Sequence, residues 1–209
     1  MCLFKNPKRV YFITAVIYSV LTALIAVYNI FFSEAVTVIY ILIAPLFLLI
    51  PVVYTKLFKI PPQYIFDAKL LIFIFLAYNM GICLRLYHLV PVYDIFAHGL
   101  SGIVFARIGV CIYLMIVNDK PNAARGKWIM TLFGLFFCSF TAVVWEIGEF
   151  VLSKLAGTDP QWVKATGVSD TMEDMIVCII GAIIYCVVLG ICLKRNKKTA
   201  VKYLTDGIM

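Results

Sequence analysis

The sequence predicts an all-α, polytopic membrane protein: six transmembrane helices in a single integral domain over residues 1–209, with both termini in the cytoplasm. Three observations predict it. Hydrophobic residues fill 64% of the 209 positions and charged residues 14%, more apolar surface than a soluble domain of this size could cover. Apolar stretches of about 20 residues recur, the length a helix needs to cross a ~30 Å hydrocarbon core. Basic residues alternate between rich and poor connections in step with those stretches. With the N-terminus inside, thirteen Lys and Arg fall on the cytoplasmic side, from Lys5, Lys8 and Arg9 to the tail at Lys194–Lys202. Only Arg85, Lys154 and Lys164 fall outside, which is a positive-inside bias. The net charge of +7 therefore reflects topology and attraction to anionic lipid headgroups, and no nucleic-acid partner is expected.

The spans lie at about 11–32, 35–55, 66–84, 93–117, 128–152 and 170–193, and lipid leaves such segments no backbone arrangement but the helix. The first follows three basic residues in the manner of a signal peptide. Its apolar run exceeds the roughly 7–15 residues of a cleavable signal and no small-x-small site follows, so it reads as an anchor. Pro45 and Pro51 should bend the second span, since each removes a backbone donor. Glu34 reads as a solvated acid in the turn before that span. Asp67 and Lys69 open the third span as a solvated or locally paired pair, Asn79 lies nearer its outer end, and Arg85 and His88 close it. Arg107 falls near the middle of the fourth span, where it either snorkels or pairs with Asp67. Seven cysteines without CxxC spacing read as small packing residues rather than a disulfide framework.

Acidic residues carry the functional signal, because an ionisable group in a bilayer is expensive. Asp94 and His98 start the fourth span four residues apart, so they share a helix face. Gly102 continues that face and lets another helix approach. Asp94 alone could be an N-cap and His98 alone a packed histidine. Glu146 and Glu149 sit one turn apart toward the end of the fifth span, roughly 27 Å along it from Trp128. An acid there opposes the helix dipole and has no capping role. Asp170, Glu173 and Asp174 open the sixth span. Asp170 with Glu173, or Thr171 with Asp174, also fits a capping box; Asp174 is the stronger candidate because it lies about 30 Å from Lys194, at the core boundary, with Gly181 seven residues on. These positions share the extracytoplasmic ends of three consecutive helices. Up to six carboxylates and one imidazole would meet there, a set that must bind a cation, share protons or face water separately. Carboxylates with one His suit Mg, Mn, Fe or Zn.

Tyr93, Asp94 and His98 (YDxxxH), Trp145, Glu146 and Glu149 (WExxE), and Ser169 to Asp174 (SDTxxD) followed by Gly181 resemble the YjdF-type inner-membrane proteins. These are distantly similar to the VanZ-like family, which carries an Asp/His, Glu, Asp order on successive helices. The likeness covers about residues 85–190. Glu149 departs from the amide often found there in VanZ-like members. The resemblance implies a multi-pass protein of the bacterial plasma (inner) membrane and supplies no settled reaction, although VanZ relatives are associated with glycopeptide-antibiotic tolerance.

Three functions fit these residues. In the first, a divalent metal held by Asp94, His98, Glu146, Glu149, Asp170 and Asp174 serves a hydrolase or transferase. Its substrate is a lipid or cell-envelope molecule reached from the outer side. Glu149 or Glu173 would act as general base, and Arg85 would hold an anionic headgroup. In the second, the chain is a non-catalytic membrane partner whose acids lock helices. In the third it is a cation- or proton-coupled transporter, a reading opposed by the lack of a matching acidic path in the inner half and of an inverted repeat.

Overall fold

The computed structural model describes residues 6–32, 35–90, 92–117 and 126–195. Glu34, Pro91, Cys2, the connection at 118–125 and the basic tail from 196 lie outside the described residues. Six helices are long and apolar enough to cross a membrane: Pro7–Phe32, Val38–Phe58, Tyr64–Cys83, Tyr93–Val117, Lys127–Ala156 and Ser169–Arg195. Among the described residues there is no strand. Large apolar side chains such as Phe136 (66%) and Phe140 (67%) are exposed on the helices, a surface suited to lipid rather than water. The chain divides into two compact units, one extending to Tyr93 and the other beginning at Asp94.

In the first unit, α1 (Pro7–Phe32) starts from Asn6, whose side chain accepts the Arg9 amide at 3.2 Å. Proline at the first helical position costs no hydrogen bond, because that donor would be unpaired anyway. The second span changes helix type at its prolines. α2 (Ala35–Ile43) passes into a 3-10 segment, Ala44–Leu49, and then α3 (Ile50–Phe58). Pro45 and Pro51 each stand in the first turn of the segment they open. The Tyr18 hydroxyl donates to the Ala44 carbonyl at this change, at 2.8 Å.

The third span begins as α4 (Tyr64–Ile74) and widens into a π-helix over Phe75–Cys83. Asn79, at its centre, is fully buried. Its amide donates to Thr22 Oγ1 at 2.7 Å, and its oxygen accepts from Tyr18 at 3.3 Å. Such bonds give a polar side chain at this depth the partners that lipid withholds. Gly81 makes room for the Tyr87 ring, which a Cβ there would displace. Arg85 then adopts the left-handed conformation (φ 59°) ahead of the short α5 (Leu86–Leu89).

Asp67 is buried and accepts a hydrogen bond from the Tyr54 hydroxyl. It is thus locally paired, and of the two readings open in the sequence the solvated one does not apply. Tyr54→Phe should lower stability by about 1–3 kcal/mol, the cost of stripping a donor from a buried acceptor. Thermal unfolding in detergent checks this, and a midpoint unchanged from wild type would contradict it.

The second unit holds α6 (Tyr93–Val117), α7 (Lys127–Ala156), the short α8 (Val163–Thr166) and α9 (Ser169–Arg195). Its core is built from small residues near the site and larger ones farther along. Ala106, Cys138, Ala142, Cys178 and Ala182 form one cluster; Val110, Leu114, Met130, Leu189 and Leu193 form the next. Glycines set the helix separations. A Cβ on Gly102 would strike the Cys178 carbonyl, and one on Gly181 the Gly99 carbonyl. Gly134 lies less tightly against the Ala106 carbonyl, to which a Cβ would come within 2.8 Å. Close approach of this kind is how helices gain packing in a membrane, where burial from lipid supplies no hydrophobic drive.

Candidate functional site

Asp94 stands in the first turn of α6 and His98 one turn on, so both project from one face. The seam of Gly99, Gly102 and Gly181 then brings α9 against that face. Asp174, buried on α9, is thereby carried to the imidazole. His98 Nε2 lies 3.4 Å from Asp94 Oδ1 and 3.6 Å from Asp174 Oδ2. One donor atom from each of the three residues falls within 4.8 Å of the others.

Those separations are informative. They are longer than the 2.7–3.2 Å of a well-formed N–H···O bond. They are the separations of a His–carboxylate ion pair, and they also approach the ligand-to-ligand spacing of about 3.4 Å in a tetrahedral site with bonds of about 2.1 Å. Two carboxylate oxygens and one imidazole nitrogen suit a hard or borderline divalent ion. Three protein ligands also leave a coordination position for water or substrate.

A second set of acids borders these three residues. Glu146 on α7 is buried, and Gln161 Nε2 donates to its Oε2 at 2.9 Å and to its backbone carbonyl at 3.1 Å. Glu149, half-buried, accepts from the Trp145 indole N–H at 3.0 Å. Glu149 interacts electrostatically with Glu146, His98 and Asp94. Asp170, half-buried in the first turn of α9, interacts with Asp94, Glu146 and His98. Glu173 is exposed, as its position one residue before Asp174, about 100° round the helix, requires. Arg85 belongs to the first unit.

Two features of the site escaped the sequence. Gln161 is a lone amide in a connection, with no spacing to mark it. The layer one turn below Asp174 was equally silent: Cys178 Sγ lies 3.5 Å from both Cys138 Sγ and Ser101 Oγ. The Trp145–Glu149 bond, by contrast, follows from their i,i+4 spacing.

A family model described as "Predicted membrane protein (DUF2238)" matches residues 13–195, and the chain belongs to that family. No curated protein and no solved structure matches it.

Proposed function

We propose that this member of a membrane-protein family is a divalent-cation-dependent hydrolase or transferase of the bacterial inner membrane. Its substrate would be a lipid or cell-envelope molecule reached from the extracytoplasmic side. The observation that carries the proposal is the convergence of Asp94, His98 and Asp174, one donor atom of each lying within 4.8 Å of the others, close enough to hold one ion between them. The cation (Zn, Mn, Mg or Fe) would polarise an ester or phosphoryl oxygen and lower the proton affinity of water. Glu149, bordering these ligands, would take the proton from that water. Glu146 and Asp170 would balance the ion's charge and orient what enters. The charge distribution of the connections, with both termini cytoplasmic, supports an outward-facing site. The sequence resemblance supports a YjdF-type protein.

The test is turnover. The full chain is reconstituted in vesicles of total envelope lipid extract with Mn²⁺, and products are followed by mass spectrometry. Cation-dependent release of headgroup or phosphate is expected, falling by about 10²–10⁴-fold in Glu149→Gln. Turnover indifferent to the cation, or undiminished in that variant, would contradict the assignment.

A further inference from the structure

The connection between α7 and α9 is ordered by its own residues. Gly157, left-handed at φ 66°, caps α7 with an N–H bond to the Ser153 carbonyl at 3.0 Å. The Asp159 carboxylate accepts the amides of Val163 and Lys164, at 3.0 and 3.1 Å, and so caps α8. Gly167, at φ 67°, ends it. Between these caps Gln161 is the only residue of 157–168 that is buried, at 7% exposure. Trp162 follows it at φ 50°, a conformation that a bulky residue holds only when its surroundings impose it. The turn therefore sends one side chain inward, and that side chain ends on Glu146.

Both hydrogen bonds from Gln161 come from one amide nitrogen, which spans the Glu146 backbone oxygen and Oε2. Glu146 is itself only 6% exposed, so its carboxylate depends on protein donors. Fixing Oε2 and the main chain together leaves the carboxylate little rotational freedom. Glu146 in turn interacts electrostatically with Asp174, Asp170 and Glu149.

We propose that Gln161 is a positioning residue for Glu146, acting as a clasp that fastens the 157–168 connection to the acidic end of α7 and sets the carboxylate against the cation ligands. The cation part of this statement rests on the reading of Asp94, His98 and Asp174 given above. Partners that orient groups around a metal typically change its affinity by 10–100-fold when removed. The clasp makes a second demand, that the connection loses order together with the carboxylate.

Both demands are read on the full chain in detergent, by Mn²⁺ titration with electron paramagnetic resonance and by amide exchange across 157–168. Gln161→Ala should weaken Mn²⁺ about 10–100-fold and speed exchange in the connection. Glu146→Gln keeps an acceptor oxygen but not the charge, so exchange should stay slow while Mn²⁺ affinity falls. Glu146→Ala leaves Gln161 only the backbone carbonyl, so Mn²⁺ affinity should fall and exchange should speed up, and Gln161→Ala added to it should cost no further Mn²⁺ affinity. Wild-type Mn²⁺ affinity in Gln161→Ala, or losses that add in the double variant, overturns the positioning role. If the wild-type chain binds no Mn²⁺, the cation reading falls, and exchange alone decides the clasp. Fast exchange in Gln161→Ala and Glu146→Ala but not in Glu146→Gln upholds it; unchanged exchange in Gln161→Ala overturns it.

Discussion

Gly181→Leu should unfold or separate the helices of the second unit, lowering stability by at least about 3 kcal/mol, the upper end of ordinary overpacking. The reason is the Gly99 carbonyl. A Cβ on Gly181 would overlap it, and the Gly102 Cα lies only 3.4 Å from the same point. Neither is the flexible end of a side chain, so α6 and α9 would have to part. His98 precedes Gly99 in the chain, which means that parting the helices also draws the imidazole from Asp174. Gly148 and Gly190 provide the controls, since a Cβ on either meets nothing within 4 Å. Leucine there should change stability by no more than about 0.5–1 kcal/mol, and in the favourable direction expected of helix propensity. Unfolding in detergent with far-UV circular dichroism measures all three. If Gly181→Leu melts with the controls, the close α6–α9 seam is not present.

Asp174→Asn carries the second large effect. The amide keeps the shape and one oxygen but loses the charge, so the helix contact should survive while cation affinity falls by about 100-fold or more, beyond the range typical of outer partners. Stability gives an independent reading. A ligand at 100 times its Kd stabilises the folded state by about 2.7 kcal/mol. Added Mn²⁺ should therefore raise the melting temperature of wild type and leave that of Asp174→Asn in place. Without the ion, the two proteins should differ little in stability, because the amide relieves the repulsion between two carboxylates but also gives up the charge that faces His98 at 3.6 Å. Equal stabilisation of both proteins by Mn²⁺ would place the ion elsewhere.

The six spans were legible because lipid imposes a length and a composition, and the irregularity of the second was marked by Pro45 and Pro51. The π-helix of the third was not. Its central polar residue, Asn79, is explained by Thr22 and Tyr18, 57 and 61 positions away. The candidate site divides in the same way. Asp94 with His98, and Asp174 with Gly181, follow helical periodicity, so their shared faces could be read before any contact was known. The Gln161–Glu146 bond obeys no period, because an irregular turn chooses which side chain goes inward. Asp170 and Glu173 looked alike in the sequence and differ in the structure. Asp170 is half-buried and interacts with Asp94 and His98, while Glu173 is exposed.

Elemental analysis of the full chain, purified without chelator beside His98→Ala, tests the cation site most directly. The arrangement of Asp94, His98 and Asp174 predicts about one divalent ion per wild-type chain, and a loss of nearly all of it in His98→Ala with helix content unchanged. Wild-type protein carrying no more metal than His98→Ala would contradict the account.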